Sequence, residues 1–352
     1  MIIGDILKKN MASVINVMTF EEKLALKNEF DGNLQMGAKT FNEKTGRDKH
    51  LANRKKNTDN YIDIVTGSIP PEITKDRSCP LCDEDDYEYL FIKDGFKHVR
   101  CKSCTMVYVT PTLKEEKTHS FYFNEDSYNQ VLMNKLQLEM DEKRFNYSLD
   151  IIDSLLENRG QIIDIGAGPG FFLEQAIKRG WKATAVELNQ FSVHKLKSLD
   201  VKIINKPLNQ VTIEQDKYDC ATLWAVLEHI IKPNEFLQGI YKLLKTEGVL
   251  GLIVPNFDSL AVRILQKNCA TFGGESHVNH FNDLTLTTML RNNGFEKIQI
   301  ESIFTEINTI QNYLSFNDPY LGIPTYFLDV LTPEYIHKNL LGYAIMAFFK
   351  KV

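Results

Sequence analysis

The sequence predicts an α/β fold: an open, mostly parallel sheet with helices on both faces. Three observations carry that prediction. From Gln161 onward, short apolar segments alternate with segments of helical spacing, the rhythm of strands joined by crossover helices. The first strand runs into the glycine-rich turn Gly166-Ala167-Gly168-Pro169-Gly170. The second ends on an acid, Glu187, at the carboxyl edge where open sheets of this kind bind their ligands.

Taken in order, residues 1–70 form a polar extension, partly helical or disordered, with basic residues from Lys39 to Lys56. Residues 78–112 carry Cys79-Pro-Leu-Cys82 and Cys101-Lys-Ser-Cys104, two pairs with eighteen residues between them. That spacing fits a four-thiolate zinc site, which leaves no open position for water and is therefore structural. Tyr87–Ile92 and Met106–Val109 read as strands beside the two knuckles. Residues 113–157 form a helical connector, with apolar positions from Val131 to Leu156 at mostly helical spacing over Asn129–Leu156.

The sheet domain spans 158–305. Ile162–Ile165 is its first strand and Phe171–Ala176 the helix after the glycine turn, closed by Gly180. Lys182–Leu188, Val201–Ile204, Tyr218–Trp224 and Gly248–Val254 are further strands, with helices at Phe191–Leu199 and Glu235–Leu244. Residues 306–352 form a C-terminal helical appendage. Its apolar run Leu340–Phe349, followed by Lys350 and Lys351, suits packing on the sheet or peripheral contact with a membrane.

Composition narrows the class. The 352 residues are 43% hydrophobic and 25% charged, with a net charge of −5, ordinary for a globular chain and unlike one that wraps nucleic acid. No apolar run approaches the roughly 18 residues of a membrane span, and the start lacks the pattern of a signal peptide. The chain reads as cytoplasmic.

The glycine turn departs from a dinucleotide fingerprint, because its frame is Gly-x-Gly-x-Gly and Phe171 occupies the position of the last glycine. Asp164 at the strand end would repel a pyrophosphate and suits a ligand with an ammonium and a sulfonium. Glu187 is placed to accept both hydroxyls of a ribose. S-adenosylmethionine (SAM) fits both.

On Asp164–Gly170, Glu187, Leu223-Trp-Ala-Val-Leu-Glu228-His229-Ile230 and Leu243–Leu250, the chain resembles a class I SAM-dependent methyltransferase over roughly 145–305. From Cys79 it resembles the branch with an N-terminal zinc ribbon, which often modifies sugars, glycans or small metabolites. The resemblance implies a Rossmann-like sheet of seven strands whose final strand, about Lys297–Phe304, is antiparallel. It implies a cofactor site of Asp164, Gly166, Ala167, Gly168, Gly170, Glu187, Leu188, Leu208, Trp224, Glu228 and His229. Two departures stand out. Asn205-Lys206-Pro207-Leu208 lacks the acid that many relatives place near the adenine, and residues 1–70 match nothing in the family.

For chemistry, the preferred general base is His277, four residues before Phe281, with His280 second. Glu228 and His229 are expected to organise the cofactor end, and Trp224 to wall the adenine or acceptor pocket. A catalytic metal on the His277/His280 pair lacks a third ligand at fitting spacing. The expected activity is methylation of a hydroxyl, less favourably a carbon, of a sugar, glycan precursor or other small metabolite. RNA methylation using the ribbon and the basic extension is the second reading, and a silent scaffold the third.

Overall fold

The computed structural model describes residues 18–114, 116–117, 126–211, 214–314 and 331–352. Four helices come first: α1 (Phe20–Phe30), α2 (Gly32–Met36), α3 (Ala38–Thr45) and α4 (Arg47–Asp59). A capping box starts α1, with Thr19 Oγ1 accepting from the Glu22 amide and Glu22 returning to the Thr19 amide. These helices are docked on the rest of the chain. Lys23 and Lys27 both reach the buried carboxylate of Glu301, at 2.6 and 2.8 Å, and Tyr147 donates to the same group. Asp31 accepts from the amide and hydroxyl of Thr305. The polar extension expected over 1–70 is therefore helical from residue 20 to residue 59 and held by polar contacts; the basic run belongs to α3 and α4.

Strands β1 (Thr74–Lys75) and β5 (Thr112–Leu113) pair at the base of the cysteine unit. Between them β2 (Tyr87–Lys93), β3 (Phe96–Cys101) and β4 (Val107–Val109) form an antiparallel sheet. Among the described residues of the connector, two helices, α5 (Asp126–Leu132) and α6 (Lys135–Leu155), stand where the spacing predicts one over Asn129–Leu156. Asn134 makes the break: its side chain caps α6 by accepting from the amides of Leu136 and Gln137.

The large sheet contains β6 (Gln161–Ile165), β7 (Lys182–Val186), β8 (Val201–Ile204), β9 (Tyr218–Trp224) and β10 (Leu244–Pro255), all parallel, with α7 (Phe171–Lys178), α8 (Gln190–Leu196) and α9 (Pro233–Leu243) between them. After α10 (Leu260–Leu265), the two-residue β11 (Asn279–His280) leaves this sheet and joins β4 of the cysteine unit. Then come α11 (Asp283–Asn292), β12 (Phe295–Ile303), α12 (Ile307–Leu314), α13 (Pro333–Lys338) and β13 (Ala344–Lys351).

The strand order β12-β13-β10-β9-β6-β7-β8 corrects two expectations. The antiparallel strand is β13, not Lys297–Phe304, since β13 runs against both β10 and β12. The segment expected as a C-terminal helical appendage carries α12 and α13 but ends in β13, so the run Leu340–Phe349 is no membrane-facing helix: it leads into a strand inside the sheet. Being covered on both faces, β13 is apolar from Ala344 to Phe349, and these six of its eight residues lie in the buried core. Among the described residues no helix is long and apolar enough to cross a membrane. The strand order reverses between β6 and β9, which opens a crevice at the carboxyl ends of those two strands.

Candidate functional site

The crevice is built first by the turn after β6. Amides of Gly166 and Ala167 both donate to Val186 O, which stitches the turn to β7. Gly168 has φ +54° and open space where a Cβ would stand, so its backbone is accessible to a ligand. Gly170, at φ +92°, is packed instead: a Cβ would meet Leu196 at 2.6 Å. The glycines thus divide the work between a ligand face and helix packing.

Glu187 follows β7. Its Oε2 accepts from the Gly168 amide, and its Oε1 from the amides of Leu188 and Asn189, each at 2.7 Å. Three backbone donors fix the carboxylate while lone pairs remain for hydroxyls of a ligand. Leu188 and Ala167 are partly buried beside it, and Leu208 sits half-buried in the 3-10 turn Leu208–Gln210. Asp164 lies at the end of β6, beneath the turn. It is buried and accepts from Thr222 Oγ1 at 2.7 Å, and burial pushes its carboxyl up to about 7. Trp224 packs its ring on Phe172, at 5.0 Å between centroids, and near Phe145, as a core residue would.

A second part of the candidate site is built where the turn after β9 meets the loop before β11. Asn279 donates to the carbonyls of Leu227 and Ile230, and the Val278 amide donates to Glu228 O. These bonds bring together Glu228, His229 and His277, each offering an oxygen or ring nitrogen within 4.8 Å of the others. His229 Nδ1 lies 2.9 Å from Ser276 O and His277 Nδ1 lies 2.8 Å from Thr271 O. A carbonyl only accepts, so each Nδ1 carries the proton and each Nε2 keeps its lone pair. Burial holds both imidazoles down, His229 to about 3 with His277 adding to it, and His277 to about 4 with the Arg54 guanidinium adding to it. Glu228 is buried with both oxygens unpartnered, and burial alone pushes it up to about 8. At neutral pH the cluster is two basic nitrogens and one protonated carboxyl.

His280 is not part of this group. Its ring lies in an aromatic cluster with His98 and Phe272, at 5.1 and 5.0 Å, while its backbone pairs with β4. His280, expected as the second base, is three residues from His277, but its pairing with β4 carries it into the His98–Phe272 cluster instead. Glu228 as an acid/base group is the residue that spacing alone did not single out.

The four cysteines lie together, with Sγ–Sγ separations of 3.4 Å for Cys79–Cys104 and 3.5 Å for Cys82–Cys101. Both knuckles close the same way, Asp83 and Thr105 donating to Cys79 O and Cys101 O with φ +62° at each. A tetrahedral zinc with bonds of about 2.3 Å fits four thiolates so disposed. Arg77, beside this site, binds the unit to the crevice. Its guanidinium donates to Val109 O, Ile231 O, Val278 O and Asn279 Oδ1.

Residues 140–300 match the family described as a methyltransferase domain. The chain is 26% identical over 170 residues to the mitochondrial ubiquinone biosynthesis O-methyltransferase of Schizosaccharomyces pombe, covering 43% of this chain and 62% of that protein. It is 25% identical over 157 residues to the ubiquinone biosynthesis O-methyltransferase of Haemophilus ducreyi, covering 40% and 61%. The chain thus spans about three fifths of the length of the curated relatives it matches. Among solved structures, a 1,6-didemethyltoxoflavin-N1-methyltransferase of Burkholderia thailandensis, with bound S-adenosylhomocysteine, aligns at 14% identity and a TM-score of 0.46, over 75% of this chain and 99% of that one. Over residues 140–300 the chain is thus similar to methyltransferase domains.

Proposed function

We propose that this chain transfers the methyl group of SAM to a hydroxyl of a small-molecule acceptor, with a sugar, a glycan precursor or another small metabolite as the acceptor class. The observation that carries the reading is the carboxylate of Glu187, pinned by three amides across from the open backbone of Gly168. Glu187 would hold the ribose hydroxyls, and the turn at Gly166–Gly168 the rest of the donor. Bound SAM supplies a methyl carbon already activated by its sulfonium, so the chain contributes chiefly position, worth roughly 7–11 kcal/mol.

His277 is the base in this reading and His229 its neighbour. As the acceptor oxygen attacks the methyl carbon, the carbon–sulfur bond breaks, its electron pair stays on sulfur, and the hydroxyl proton passes to Nε2 of His277. The Nδ1–H of the resulting imidazolium stays hydrogen-bonded to the Thr271 carbonyl. Protonated Glu228, 3.9 Å from His229 Nε2, keeps the floor of the pocket uncharged until then. The four cysteines would hold a structural zinc, which supplies rigidity to the sheet that β11 joins.

The test is to incubate purified protein with methyl-labelled SAM and a lysate of its host, and to partition the label. Label in small-molecule, nucleotide-sugar or lipid-glycan fractions, on oxygen, is the expected result. Label released by nuclease from RNA would overturn the acceptor class, and failure to bind SAM in calorimetry would overturn the reading as a whole.

A further inference from the structure

The family match begins at residue 140, so helices α1–α4 lie wholly outside it. One of them nevertheless reaches the histidines. Arg54 of α4 lays its guanidinium on the loop before β11: Nη2 donates to Glu275 Oε1 and, at 2.8 Å, to Ser276 Oγ. The contact is sheltered, with side-chain exposures of 22% for Arg54 and 8% for Glu275. Gly273 makes room for it, since a Cβ there would stand 2.9 Å from the same Nη2. Ser276 in turn supplies the carbonyl that takes the Nδ1 proton of His229, and His277 is the next residue. On its other side α4 is fastened to the connector, Arg47 donating twice to Gln137 Oε1 and the His50 ring meeting Tyr128 at a tilt, 5.1 Å between centroids.

A guanidinium presents its donors in a rigid plane, so one group holds a carboxylate and a hydroxyl at fixed angles, which an ammonium cannot do. We propose that Arg54 is a positioning residue for the transfer reaction: through Glu275 and Ser276 it fixes the loop that sets the tautomer of His229 and the placement of His277. Helices α1–α4 are then a working wall of the acceptor side, added to the common domain. This rests on the reading that the two histidines serve methyl transfer.

The test uses full-length protein labelled with 15N at histidine. Long-range proton–nitrogen spectra at pH 7 read the tautomers of His229 and His277, assigned with H229Q and H277Q variants, and calorimetry reads SAM binding on the same samples. Wild type is expected to show Nδ1–H at both rings. In Arg54→Met the single-tautomer signature of His229 is lost while SAM affinity is unchanged, and Arg54→Lys lies between the two. A folded Arg54→Met variant with both rings still purely Nδ1–H overturns the proposal. If that variant does not fold, a pure Nδ1–H signature in Arg54→Lys overturns it equally. Wild-type protein that binds no SAM overturns the functional reading instead, whatever the tautomers.

Discussion

Glu187 and His277 were legible as candidates for different reasons, and their environments give different tests. A strand-end acid followed by amides is a local arrangement, which sequence spacing specifies almost completely. Replacing Glu187 by Ala removes the acceptor for ribose hydroxyls and strands three amides, so SAM affinity in calorimetry should fall by at least about tenfold; an unchanged Kd would remove Glu187 from the cofactor site. The histidines depend on partners far away in sequence, and there the reading divided. His277 meets His229 and Glu228 across the gap, whereas His280 is drawn into the His98–Phe272 cluster. Because His277 is held at about 4, it stays a free base well below neutrality. Protonation of His277 should therefore cause no fall in turnover down to about pH 5.5, and His277→Asn should lower turnover on the order of 10²–10⁴-fold with SAM affinity retained. An acid limb near the ordinary histidine value of about 6.5 would show that burial does not hold His277 down.

Among the elements, two were misread and both for want of non-local information. The run Leu340–Phe349 is apolar throughout, and periodicity cannot separate a buried helix from a strand covered on both faces. Its place between β10 and β12 is settled by sheet closure: Gly251 lies opposite Phe348 and leaves space for that ring, a Cβ there approaching it to 3.1 Å. Helix α4 offers almost no apolar face, so nothing local predicts that Arg47, His50 and Arg54 dock it. The cysteine knuckles, by contrast, are short-range motifs and were readable in full. Their coupling to the crevice was not, because it runs through β11. Cys82→Ser, or stripping zinc with a chelator, should leave SAM affinity intact while amide exchange speeds up across residues 273–281 and turnover falls. Unchanged exchange in that loop would show that the knuckles and the crevice are independent.

Across the whole molecule, burial of titratable groups sets the response to acid. His50, His98, His277 and His337 are held at about 4 and His229 at about 3, with His280 well below its ordinary value, all chiefly by burial. An unfolded chain protonates these rings near 6.5, so between there and about 4 the unfolded state binds more protons and stability falls as pH drops. Asp164 and Glu228 act in the opposite direction. Raised to about 7 and about 8, they hold protons that an unfolded chain releases above about 4, and the stability they contribute is lost as pH rises. Six rings outweigh two carboxyls, so the urea midpoint should fall steadily between about pH 7 and about pH 5. A midpoint that rises on acidification would mean that the carboxyls dominate.

The strand β11 belongs by chain order to the large sheet domain and by hydrogen bonding to the cysteine unit, and this limits how the protein can be recombined. A chimaera exchanging residues 74–113 for those of a homologue would set a foreign β4 against a native β11 and forfeit the grip of Arg77 on Ile231 and Val278. Acceptor preference is therefore not portable as one contiguous cassette. On the reading proposed above it would travel between homologues only as a discontinuous set, with residues 47–59, 74–113, 226–231 and 273–281 moved together.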